Sequence, residues 1–293
     1  MEQSLINKIL PLKKTSACML ALMLSLGASH QASAVDISIS IENLSSQDGL
    51  FLTPLWVSFH DGSFDTFSNG SGASAGLQQL AEDGDTSGLS AQFSSSSAGM
   101  NGGVDGTIFG PAGFTGAPII DPGETTSAIF NLNAMNNRYF SYASMVIPSN
   151  DAFIGNDDQL GHAIFDSAGN YNGDQSFIIL GSNVYDAGTE INNEMDAAFL
   201  NQMAANTGLD ENGVVHAHNG YLNSFGNPAG IANILGGTNG AGFFFDPANA
   251  DFSLPGFQVA RLTISHVPEP GTFMMMGLGI VGLGLARNKQ KTN

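Results

Sequence analysis

Two acidic stretches hold the residues best suited to chemistry. The first runs from Ser144 to Gly155 and contains Asp151. The second runs from Tyr185 to Glu190 and contains Asp186 and Glu190, with Asn193 and Glu194 just beyond. In the first, a strand-like run ending in Val146 and Ile147 stops at Pro148, so Asp151 falls in the following loop. In the second, Gly188 permits a sharp turn that brings Asp186 and Glu190 to one side. Three carboxylates gathered without a local Lys or Arg repel one another, and a hard divalent cation relieves that repulsion. Ca²⁺ takes about 6–8 oxygen ligands, so backbone carbonyls and waters would complete its shell. The sole cysteine, Cys18, lies far from these stretches and no H-E-x-x-H occurs, which argues against zinc. The plainer reading of Asp151, Asp186 and Glu190 is as solvated loop acids, since acids are plentiful in this chain. Glu194 reads as an acid favoured by a helix N-terminus rather than as a fourth ligand.

Other constellations point to packing. His216 and His218 alternate on one strand face, which suits metal ligation but more often marks a structural pair. His60 and Asp61 near Ser58 suggest a hydrolytic triad, yet no G-x-S-x-G elbow accompanies them. Phe243, Phe244 and Phe245 are read as strand packing and a loop anchor rather than as a sugar platform. Gly277, Gly279 and Gly282 match G-x-G-x-x-G without the strand before or the acid after that a dinucleotide site requires. The chain is therefore expected not to be an enzyme.

The elements that must position these residues are mostly strands. Val35 to Glu42 alternates, with Val35, Ile37, Ile39 and Ile41 on one face. Leu55 to His60, Ser127 to Leu132, Tyr139 to Ile147, Gln175 to Leu180, Val214 to His218 and Phe257 to Val267 are further strands, separated by Gly, Asn, Asp and Pro clusters. Helical spacing occurs at Ser74 to Glu82, and helix formers are concentrated from Ile191 to Met203. The Ser-, Gly- and Ala-rich segment from Ser68 to Gly116 reads as a long loop carrying the first of these helices. The expected fold is an all-β antiparallel sandwich. If Tyr139 to Ile147 runs up, His162 to Phe165 down and Gln175 to Leu180 up, the loops holding Asp151 and Asp186 open at one end.

Both ends read as targeting segments. Lys8, Lys13 and Lys14 precede the apolar run Ala17 to Leu26, and Ala32-Ser33-Ala34 offers a cleavage site, so residues 1–34 are expected to be a signal peptide. At the other end Val267-Pro268-Glu269-Pro270 is followed by an apolar stretch from Gly271 to Ala286 and by Arg287, Lys289 and Lys291. That order resembles the PEP-CTERM protein-sorting signal, here residues 267–293. The resemblance implies an exosortase-type membrane transpeptidase as partner and insertion of an apolar C-terminal helix into the inner membrane, transient or permanent.

The whole chain has 8 Lys plus Arg against 26 Asp plus Glu among 293 residues, a net charge of -18. Between Val35 and His266 the only cations are Arg138 and Arg261 beside 24 acids, a net charge of -22. Nucleic-acid binding by phosphate neutralisation is excluded by so little positive charge.

The body, residues 35–266, resembles the spondin N-terminal (F-spondin) domain as it occurs in bacterial secreted proteins. The resemblance rests on Ile39 to Leu44, Thr53-Pro54, Leu80 to Ser87, Ser144 to Gly155, Asp186 to Glu194, His216 to Gly220 and Val259 to Ile264. It implies a C2-like sandwich of about eight strands with short helices in loops and a calcium ion held at one end. The implied ligands are Asp151, Asp186 and Glu190. Animal members carry a Trp where this chain has Ala152, and disulfides that this chain lacks, so their integrin and matrix partners do not transfer. The expected function is an exported calcium-binding adhesion or extracellular-matrix module, sorted to the envelope and meeting an extracellular polysaccharide or matrix ligand. The alternatives are a polysaccharide-active enzyme using a carboxylate pair and a purely structural biofilm protein.

Overall fold

The structure, a computed structural model, describes residues 34–111, 118–193, 197–198, 207–220 and 244–268. The expected signal peptide and the C-terminal apolar helix lie outside them.

Alternation builds the first sheet. In β1 (Val35–Asn43) the side chains of Ile37, Ile39 and Ile41 are fully buried, while Asp36, Ser38 and Ser40 face outward. β1 is flanked by β5 (Thr125–Leu132) and β11 (Gln258–His266), and β8 (Gln175–Leu180) completes the order β5-β1-β11-β8. All three pairings are antiparallel; Ile37 stands opposite His266, and Asn43 opposite Ala260.

The second sheet contains β2 (Phe51–Leu52), β3 (Leu55–His60), β4 (Val104–Ile108), β6 (Tyr139–Ile147), β7 (Ala152–Gly155), β9 (Val184–Asp186) and β10 (His216–Ala217). Its order is β10-β9-β7-β6-β3-β4, with β2 paired to β6. β3 is buried on both faces. Leu55, Val57 and Phe59 enter the core between the sheets, where Phe59 packs 5.5 Å from Phe140 and 4.9 Å from Phe130 between ring centres. Trp56 joins Phe64, Leu77, Leu80, Leu89 and Phe93 in a second core beneath the helices. Its indole N–H donates to Ser90 Oγ at 3.2 Å and Asp105 Oδ2 at 3.3 Å, which satisfies the buried donor.

The helices arise in the segment expected to be a loop with one helix. α1 (Ala75–Asp83) is capped by Ser74, whose hydroxyl accepts from Leu77 N at 3.2 Å, and ends at Gly84 in the left-handed region. It is followed by α2 (Ser87–Ser95), α3 (Ser97–Met100) and then β4. α2 buries only Leu89 and Phe93, one turn apart, so its amphipathic signal is faint amid Ser and Gly. Gly76 allows the close packing of α1 on α2, because a Cβ there would lie 2.8 Å from the Gly88 backbone. α4 (Pro247–Ala250) is a short turn after Phe245.

Two antiparallel sheets packed over a shared core make the sandwich that was expected. The described strands number eleven rather than about eight, because β2, β7, β9 and β10 are only two to four residues long and leave little periodicity. The strand expected over Val214 to His218 shrinks to His216–Ala217. His162 to Phe165 forms isolated bridges, at Ala163 and Phe165, rather than a strand. Of the expected helix from Ile191 to Met203, residues 191–193 and 197–198 are not helical, and the remainder lies outside the described residues.

Candidate functional site

Asp151 and Asp186 meet because β7 and β9 are antiparallel neighbours, with Ala152 opposite Asp186. Asp151 immediately precedes β7 and Asp186 ends β9, so both fall at one end of the sheet. The sequence expectation of a shared end holds, but by direct pairing rather than by the up-down-up order through residues 162–180. The turn after β9 then folds back over Asp151. Asp151 Oδ2 accepts from Thr189 N at 2.7 Å, Thr189 Oγ1 at 3.1 Å and Glu190 N at 3.1 Å. Its backbone carbonyl accepts from Ala187 N at 3.2 Å. Asp186 Oδ1 accepts from Gly188 N at 2.8 Å, and its Oδ2 accepts from Asn192 Nδ2 at 2.6 Å.

Gly188 makes this turn possible. It has φ +66°, and a Cβ there would lie 2.5 Å from Val214 O. The turn is stitched to the chain at 209–213 by Gly213 N donating to Gly188 O and Ile191 N donating to Leu209 O, both at 2.7 Å. Gly188→Ala is expected to cost about 1–2 kcal/mol from the left-handed backbone alone, with the clash added, as a lowered urea midpoint at unchanged slope.

All three carboxylates predicted from the sequence are buried: Asp151, Asp186 and Glu190 are 0%, 1% and 2% exposed. Burial first, and then the Asp186 charge, push the Asp151 carboxyl up to about 7. Burial, the Glu82 charge and the Asp151 charge push Glu190 up to about 8. Asp151 Oδ1 and Glu190 Oε2 are buried without a hydrogen-bond partner, as is Asn192 Oδ1. Neither body arginine neutralises them. Arg261 pairs with Glu42, and Arg138 lies over the Tyr139 ring. Among the described residues no set of three His, Asp or Glu side chains forms a ready-made ion cage. The carboxylates adjoin in pairs, Asp151 beside Asp186 and Asp151 beside Glu190.

Sequence reasoning overlooked Glu82 on α1. It is 3% exposed, accepts from Gln78 Nε2 at 2.8 Å, and lies within hydrogen-bonding reach of Thr189. Its burial holds its carboxyl above the usual range. Its only sequence signal is a position beside the inward-facing Ala81. The two histidines flank Asp186, with His216 Nδ1 at 3.9 Å from Oδ1 and His218 Nε2 at 4.0 Å from Oδ2. Burial lowers His218 to about 4, so it adds no positive charge at neutral pH.

The other constellations are structural in form. His60 Nδ1 accepts from Gly62 N, and its Nε2 contacts Ser141 Oγ at 3.0 Å, while Asp61 accepts from Ser63; no triad forms with Ser58. Phe245 is buried edge-on to Phe51, Phe244 is exposed, and Phe243 lies outside the described residues.

The donor set around Asp151 and Glu190 consists of hard oxygens with two charged-group atoms lacking partners, which fits a divalent cation. Comparison with known families agrees with the resemblances read in the body and at the C-terminal end of the chain. The Spondin_N family model matches residues 50–193, which include Asp151, Asp186 and Glu190, and the PEP-CTERM protein-sorting motif matches residues 266–288. No curated protein matches the chain. The chain is therefore similar to a Spondin_N domain over residues 50–193 and to a PEP-CTERM protein-sorting motif over residues 266–288.

Proposed function

We propose that this chain is a calcium-binding adhesion or extracellular-matrix module of the cell envelope. The sorting motif implies an exosortase-type sorting system as partner and export to the envelope. The calcium reading is carried by one observation: Asp151 Oδ1 and Glu190 Oε2 are buried, acidic and unpartnered in a body with two arginines, both engaged elsewhere. Leaving such groups ionised without a counter-charge is costly, so they take up either protons or a metal ion. Asp151, Asp186 and Glu190 would hold the ion, and its chemistry there is to neutralise charge and tie the 186–190 turn to the start of β7. Asp151 Oδ2 already holds that turn by three hydrogen bonds, so the ion completes a bracket rather than creating one.

A non-catalytic role is favoured because Asp151, Asp186 and Glu190 are almost fully buried rather than open to solvent. A glycosidase needs its carboxyl pair open to substrate. Equilibrium dialysis of the purified full chain against radioactive Ca²⁺ is expected to show about one bound ion per chain, displaced by excess Ca²⁺ but not by K⁺. Asp186→Asn should lose that ion. Retention of full binding by both Asp186→Asn and Asp151→Asn would refute the assignment.

A further inference from the structure

At the far end of β7 from Asp151 the chain opens a crevice of about 250 Å³ between β8 and the strands β6, β7 and β9. The volume suits one small ring better than a drug-sized molecule. Its walls are aromatic: the His162 and Phe177 rings stack at 4.2 Å and 11°, and Tyr142 packs 5.9 Å from each. Tyr185 lies on the side of β9, its hydroxyl within hydrogen-bonding reach of Asp157. Asp158 and Asn183 add further polar groups.

Tyr142 is the informative residue. It is 5% exposed, its ring is part of the main core, and its hydroxyl makes no hydrogen bond to another described residue. Burial, with Tyr185 and Asp157 close by, holds its ionisation well above the usual range, which keeps it a neutral donor. A phenol placed among aromatic side chains without a protein acceptor usually meets water or a ligand.

We propose that this crevice binds a neutral hexose ring of a glycan, with Tyr142 donating to a sugar hydroxyl, Asp157 accepting from one, and the Phe177 and Tyr185 rings packing on sugar C–H groups. A sugar is the ligand class that offers both apolar C–H faces and closely spaced hydroxyls that donate and accept. The carboxylates of Asp157 and Asp158, with no cation lining the crevice, select against uronic acids by repulsion. The inference stands apart from the calcium reading, because none of these groups belongs to the Asp151 cluster.

Isothermal titration of the purified full chain tests it, using manno-, gluco- and galacto-oligosaccharides, trigalacturonate, and pentalysine as probes, each in Ca²⁺ and in EDTA. At least one neutral series should bind, and trigalacturonate should bind at least tenfold more weakly. Tyr142→Phe removes only the unpartnered hydroxyl, so it should weaken binding about tenfold while leaving the thermal midpoint unchanged; Asp157→Asn should weaken it several-fold. Absence of neutral-sugar binding at millimolar concentration would overturn the proposal. So would affinity unchanged in both variants, trigalacturonate binding as tightly as neutral sugars, or binding of pentalysine alone.

Discussion

Millimolar Ca²⁺ should raise the thermal midpoint of the chain by about 5–10 °C, and Asp151→Asn should abolish that rise while making the cation-free protein more stable. A ligand that binds only the folded state at a hundred times its Kd contributes about 2.7 kcal/mol. For a domain of this size each kcal/mol moves the midpoint by about 2–4 °C. The variant is informative because Asp151 does two separable things. Its Oδ2 accepts three hydrogen bonds from the 189–190 turn, and an amide oxygen can take these over. Its Oδ1 has no partner, and the carboxyl as a whole feels the charges of Asp186 and Glu190. An Asn amide there keeps the turn and removes the repulsion. Solvated loop acids would show neither effect, so differential scanning calorimetry of both proteins in EDTA and in Ca²⁺ separates the readings. An unshifted midpoint in saturating Ca²⁺ would defeat the metal assignment.

Acidification should stabilise the protein when divalent cations are removed. Asp151 and Glu190 have folded-state pKa values raised to about 7 and about 8, so between about pH 4 and 8 the folded state holds protons that the unfolded state has released. Stability therefore falls as pH rises through this window, by up to about 1.4 kcal/mol per pH unit for each group titrating. His218 and His60, both lowered to about 4 by burial, act in the opposite direction and oppose acidification below about pH 6.5. The cation-free protein should thus be most stable near pH 5.5–6.5 and less stable at pH 8. Bound Ca²⁺ keeps the carboxylates ionised and should flatten the slope above pH 6. Urea midpoints at pH 6 and pH 8, in EDTA and in Ca²⁺, measure this. A cation-free protein equally stable at both pH values would show that the cluster is not protonated on folding.

β1 and β8 were plain in the sequence because one buried face forces a period of two, whereas β3 and β6, buried on both faces, were legible as apolar runs bounded by turn residues; all four follow the expected limits to within a residue. The short strands β7 and β9 were not, although they bring Asp151 and Asp186 together. Four and three residues give no period to read, and β7 is buried at every position. The pairing of the carboxylates thus rested on a mistaken route through residues 162–165, yet the acids themselves were found by their Gly and Pro neighbours. Glu82 escaped notice because a carboxylate at the edge of an apolar helix stripe resembles a solvated one until the packing of α1 over the sheet is known. The helix α2 was hidden by Ser and Gly, which carry low helix propensity, and forms because Leu89 and Phe93 bury beside Trp56.

The pairing of β1 with β11 sets a polarity for display. Val35 and His266 leave from one end of the first sheet, since Ile37 stands opposite His266. Asn43 marks the other end, where its side-chain amide donates to the carbonyls of Leu50 and Ile120, and where Phe51 pairs with Ile147, four residues before Asp151. Nine extended residues span roughly 30 Å. The carboxylate turn therefore lies at the pole opposite the one from which β11 leads toward the sorting motif at residues 266–288, so the two parts of the chain with assigned or proposed roles occupy opposite ends of the sandwich.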